Sequence, residues 1–165
     1  MSDERSAGFV QYLIERFQGE VYGEAVFAAL ADAELDPEAR YKWRVLEALE
    51  RETKEYLARA LGERGHAVEE SAESRAQGEK LGRRLASVPR ALFMAGFRAE
   101  VQKFVAEYEQ AEATAPADGL RVARHVTAHE RAILEFADLE IAGRSAESPA
   151  PVLSLLAKPP APPSH

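Results

Sequence analysis

The chain has 165 residues, a net charge of −7 and a pI near 5.2, with 46% of residues hydrophobic and 30% charged. That is one domain, long enough to bury a real core, and no Lys/Arg cluster stands free of nearby Glu to support binding to nucleic acid or an anionic membrane. The absence of cysteine excludes disulfides, thiolate-held zinc, iron–sulfur clusters and a thiol nucleophile.

The opening Met1-Ser2-Asp3-Glu4-Arg5 is polar and no signal-type apolar run follows it. No stretch approaches the roughly 20 apolar residues of a membrane span, so a cytoplasmic location is expected. The first helix is expected from about Gly8 to Ala33, where Phe9, Leu13, Phe17, Phe27 and Leu30 or Ala31 step by three and four. Glu20 and Glu24 fall on the same stripe, in the gap between Phe17 and Phe27, with Gly19 and Gly23 beside them. A glycine inside a helix costs roughly 1 kcal/mol relative to Ala. The pair therefore points to a tight helix crossing, or to the close approach of a ligand or another backbone.

Asp36-Pro37-Glu38 sets a capping residue before a proline at the first helical position. The turn before it is short, so a second helix, about 37–62, folds back antiparallel on the first. Its stripe reads Trp43, Leu46, Leu49 with Glu50, Thr53, Leu57 and Leu61, and Gly62 and Gly65 end it. Residues 63–88 are polar, interrupted by Gly78 and Gly82, and too long for a hairpin turn. They read as a crossover with room for a short, exposed helix.

A third helix is expected from about Pro89 to Ala113, with Phe93, Phe97, Val101, Phe104 and Tyr108 inward. Pro116 and Asp118 introduce a fourth, about 118–142, that buries Val122, Val126, Ile133 and Phe136 and carries His129 and Glu140 on the same stripe. Gly143 closes it. Six of the nine prolines lie between 149 and 163, so residues 144–165 are expected as a flexible tail beyond a helical domain of residues 1–143, with Val152–Leu156 docking locally.

Glu20, Glu50, Glu100 and His129 each sit eleven or twelve positions into their helix, on the stripe that should be buried. That is roughly 17 to 18 Å along rods of roughly 36 to 39 Å, so all four lie at mid-height whichever way each helix points. Folding the first hairpin about residues 35–36 also sets Glu24 opposite Glu47. An ionised carboxylate in such a core costs several kcal/mol unless it is paired or binds a metal. Oxygen-rich donors with some imidazole suit iron or manganese, and a cation removes the like-charge repulsion. The expected metal ligands are Glu20, Glu50, Glu100 and His129, with Glu24 and Glu47 as near neighbours. A network of these carboxylates with Arg16, Arg98 or Lys54 is the competing arrangement.

This pattern resembles the ferritin-like superfamily, the group that includes rubrerythrins and di-iron carboxylate oxidases. The resemblance rests on two hairpins joined by a long crossover, on inward glutamates at mid-height, and on a last helix whose His129-Glu130, Ile133, Phe136, Glu140 and Gly143 are similar in style to small bacterial members. It covers about residues 8–143. It implies an all-α four-helix bundle of two antiparallel hairpins and a metal-dependent role in oxidising ferrous iron or reducing a peroxide; a homodimer or larger homo-oligomer is a separate expectation. The family's site draws one Glu from the first helix, Glu-x-x-His from the second, one Glu from the third and Glu-x-x-His from the fourth. Glu20 matches the first place, with Glu24 one turn away, and Glu100 matches the third. The second helix reads Glu47-Ala48-Leu49-Glu50, a glutamate where the histidine belongs, and Val126 stands where the glutamate before His129 belongs. What remains suits one metal or none. The alternative is a metal-free bundle acting as an oligomerisation or partner-binding module.

His125 and His129, four apart on one face, would also suit zinc or nickel. They faintly resemble the damage-inducible metal-binding bundles, which add a third histidine that the second helix here does not offer. No glycine-rich phosphate loop, Gly-x-Ser-x-Gly or Ser/His/Asp grouping points to nucleophilic catalysis.

Overall fold

The first hairpin forms where the cap signal places it. The computed structural model describes residues 2–164, and its elements are α1 (Ser2–Ala33), α2 (Pro37–Gly62), α3 (Ala72–Leu85), α4 (Arg90–Thr114), α5 (Leu120–Ile141) and the single turn α6 (Ala150–Leu153). Among the described residues there is no strand, and no helix is long and apolar enough to cross a membrane. Asp36 caps α2 by accepting the Ala39 N–H at 2.9 Å, with Pro37 at the first position. α1 starts earlier than Gly8, and it packs on both α2 and α3.

α3 is the main departure from the sequence reading. The crossover was expected to hold at most a short, exposed helix, yet α3 is laid tightly along α1. Ser71 caps it by accepting the Ser74 N–H, and Gln18 on α1 pins the entry by bonding both the Glu69 carbonyl and the Ser71 N–H, at 2.8 and 2.9 Å. Gly78 and Gly82 then lie directly against the α1 backbone at Tyr22 and Val26. A Cβ on Gly82 would stand 2.5 Å from the Val26 carbonyl oxygen. The lack of side chains lets two backbones meet, which is how a charged, glycine-broken segment can be buried on one face.

The second hairpin, α4 and α5, packs mainly on itself. His129 meets Glu20, and Gly119 abuts Phe9, so α5 runs parallel to α1. The ring pairs Tyr12–Tyr108 and Phe27–Phe97 show α4 running the other way. The close partner of the α4 backbone is α5, and Phe104, expected inward, is 40% exposed because α4 stands off α1 at that level.

Residues 144–165, expected as a flexible tail, are laid on the helices as far as Lys158. Ser148 and Val152 are fully buried. The Glu140 carboxylate gathers Lys42, Arg90, Ser145 and Ser148, and Glu52 accepts the backbone N–H groups of Ala157 and Lys158 at 2.8 and 2.7 Å. Local turns and these acceptors hold a proline-rich segment that regular helix could not.

The core is divided. One apolar block gathers Phe27, Leu30, Trp43, Leu46, Phe93, Ile133, Phe136 and Val152. A second gathers Phe9, Leu13, Phe17, Leu57, Leu61, Tyr108, Val122 and Val126. Between them lies a layer of buried polar side chains: Glu20, Glu50, Thr53, Thr127, His129 and Glu130.

Candidate metal centre

Three helices deliver the centre of that layer. Glu20 comes from α1, Glu50 from α2 and His129 from α5, and one donor atom from each lies within 4.8 Å of the others. His129 Nε2 is 3.4 Å from Glu50 Oε1 and 3.6 Å from Glu20 Oε2. Two ligands about 2.1 Å from a shared ion are about 3.4 Å apart at the tetrahedral angle, so the spacing matches donors around one cation. The imidazole is held from behind: its Nδ1 hydrogen-bonds the Thr53 hydroxyl at 2.8 Å. With the proton on Nδ1, the Nε2 lone pair faces the two carboxylates. Glu20 Oε2 is buried and has no hydrogen-bond partner. A buried carboxylate oxygen without a partner, beside an imidazole nitrogen, is an arrangement that a cation would complete.

Glu130 completes the layer, and the sequence reading missed it. It follows His129 directly, so it points about 100° around α5, yet it is buried and its Oε2 comes within 3.8 Å of His129 Nε2. Arg16 stands nearby on α1, stacked over the Tyr108 ring at 4.8 Å and donating to the Tyr108 hydroxyl. Its charge acts on both Glu20 and Glu130.

Electrostatics follow from this crowding. Burial drives the Glu20 carboxyl well above the usual range, the neighbouring charge of Glu50 and a shared hydrogen bond add to it, and Arg16 opposes. Glu130 is pushed up to about 7, first by burial and then by Glu50, against His129 and Arg16. His129 would be lowered by burial, but the charge of Glu50, a hydrogen bond that the ring donates to Glu50, and the charge of Glu130 outweigh that and raise it. Without a cation, the layer holds protons at neutral pH that a cation would displace.

The other expected ligands lie elsewhere. Glu100 does not join the layer: its side chain is 59% exposed and pairs with Lys103 at 2.6 Å. The buried seam of α4 runs through Met94, Val101, Val105 and Tyr108, and Glu100 sits one residue off it, toward the gap left where α4 stands away from α1. Glu24 and Glu47 are buried but already satisfied. Glu24 takes Lys54, Arg51 and, at 3.6 Å, Arg75. Glu47 takes Arg44 and Arg51. Cations of the chain itself fill the places where a metal would stand. His125 stacks on Tyr56 with ring centroids 3.9 Å apart, and it is absent from the His129 donor group.

Gly23 supplies the last piece. A side chain there would run into the carboxylate of Glu50, so what comes close at this position is a side chain of α2, neither a ligand nor another backbone. Gly19 has open space where a Cβ would stand. No family model, curated protein or solved structure matches the chain.

Proposed function

We propose that the chain is a four-helix bundle of ferritin-like organisation. It holds one divalent ion of iron or manganese type between Glu20, Glu50 and His129, with Glu130 as a further donor. The single observation that carries this reading is Glu20 Oε2, buried without a partner 3.6 Å from Nε2 of His129. Three carboxylates and one imidazole are a hard, oxygen-rich set of the kind that iron and manganese favour. Three donors around one point, with Glu130 beside them, suit one ion rather than two, in keeping with the absent histidine at position 50 and the absent glutamate at position 126.

Such an ion would supply one-electron redox chemistry toward oxygen or peroxide. The chain's own residues would do the rest. Glu20 and Glu50 neutralise the cation, Thr53 fixes the His129 ring, and Arg16 balances the charge of Glu130. The apolar blocks above and below shield the layer on two sides, which strengthens the charge interactions in it.

The test is metal content of protein produced with iron and manganese, beside a Glu50→Ala variant. Near-stoichiometric metal in the parent and little in the variant supports the proposal. Negligible metal in both, with thermal stability unmoved by a chelator, defeats it and leaves the metal-free interaction module.

A further inference from the structure

α1 and α4 touch at two levels and part between them. The ring pairs Tyr12–Tyr108 and Phe27–Phe97 join the helices at either end. Between these pairs a groove of about 690 Å³ runs inward from the surface. Its rims are bare: Gly19 on α1 and Gly96 on α4 are both exposed, with no atom within 4 Å of where a Cβ would stand. Phe97, Val101, Phe104 and Leu81 line the walls, while Glu20, Glu50, Glu130 and Arg16 form the polar end. A concave, mostly apolar site of this size with a few convergent polar groups is the usual make-up of a small-molecule pocket. The buried, unpartnered Glu20 Oε2 is part of that polar end, so the groove leads to the metal-binding layer itself.

We infer that this groove binds an elongated, uncharged apolar molecule with one small polar end, of the medium-chain alcohol or aldehyde class, oriented with the polar end toward Glu20. The choice of an uncharged head rests on the proposed metal site. Three ionised glutamates are balanced by Arg16 and a divalent ion, which leaves an inner end with no net charge. A buried charged head would have no counter-charge there. The apolar walls supply attraction along the chain of the ligand.

The experiment titrates metal-loaded protein with the neutral fluorophore N-phenyl-1-naphthylamine and displaces it with 1-dodecanol, dodecanoate or dodecylamine. The comparison protein is the Gly19→Leu/Gly96→Leu double variant, which fills the mouth at two open positions while replacing glycine with a better helix former. Metal content, helicity and molecular mass are measured on both. The expected result is saturable binding in the parent, displacement by dodecanol about tenfold more readily than by either charged analogue, and loss of binding in the double variant with unchanged metal content. Metal-loaded parent that shows no saturable binding overturns the inference and leaves the metal site standing. Dodecylamine or dodecanoate as the best competitor on metal-loaded protein overturns the uncharged head and leaves the metal site standing. A parent dimer that the double variant converts to a monomer, with no fluorophore bound by either, assigns the groove to a second copy of the chain and overturns the inference.

Discussion

The carboxylate of Glu50 occupies the space that a side chain on Gly23 would need: a Cβ there would lie 2.7 Å from Glu50 Cδ. Gly23→Ala should therefore displace the end of Glu50 while improving the intrinsic helix propensity of α1 by up to about 1 kcal/mol. Metal affinity is expected to fall by roughly 10- to 100-fold, with metal-free thermal stability equal or higher. Isothermal titration with manganese, paired with a melting curve, reads both. Undiminished affinity would mean Glu50 is not a ligand.

Thr53 acts through His129. Thr53→Val keeps the volume but leaves Nδ1 of a buried ring without its partner. Metal affinity should drop roughly 10-fold or more, and the metal-free protein should lose about 1–3 kcal/mol. Thr53→Ser should restore both.

Two carboxylates on the second hairpin should behave oppositely. Glu100→Ala removes an exposed side chain paired with Lys103 and is expected to leave metal content unchanged and stability within about 0.5 kcal/mol. Glu130→Ala removes a buried neighbour of His129 and should lower metal content clearly. Elemental analysis of the two purified variants settles the order.

Stability of the metal-free protein should fall as pH rises. Glu130 goes from an ordinary value of 4.5 to about 7 on folding, so between those values the folded state holds a proton that the unfolded state has lost. Stability then decreases with pH across that window, and the loss is complete above about 7. His129 is also raised, and its stabilising charge disappears as pH climbs through its folded value, so both groups act in the same direction. The thermal midpoint should drop from pH 5 to pH 8, and Glu130→Gln should flatten much of that slope. Bound metal requires deprotonated donors and should oppose the trend. A midpoint that does not change with pH in the metal-free parent would contradict the buried acids.

Glu24→Ala should separate scaffold from site. It strips the buried Lys54 of one of its two carboxylate partners, which is expected to cost about 2–3 kcal/mol without changing metal content. Denaturant unfolding and elemental analysis on one sample would show both.

The long helices were legible because their apolar residues follow a period of three and four and because Asp36-Pro37 marks a start unambiguously. Glu20, Glu50 and His129 were legible for the same reason: each interrupts a stripe that the structure buries. Glu100 and Glu130 were exchanged because periodicity assigns a face only to within tens of degrees, and it carries no information on whether a neighbouring helix closes against that face. α4 stands off α1, so water reaches Glu100, while α5 is packed tightly enough to bury Glu130. Arg16, four residues before Glu20, was the available signal that the polar layer extended to that side. α3 was misjudged as exposed because Gly78 and Gly82 bury backbone, which leaves no apolar signature in the sequence.

The divided core has a mechanical consequence. The two apolar blocks share no side chain, so each grips the helices at its own end, and the layer between them adds little hydrophobic cohesion. An ion seated at Glu20, Glu50 and His129 would clamp three rods at their waist, where a single contact braces both halves at once. Occupancy would then be felt as far away as the termini of the helices.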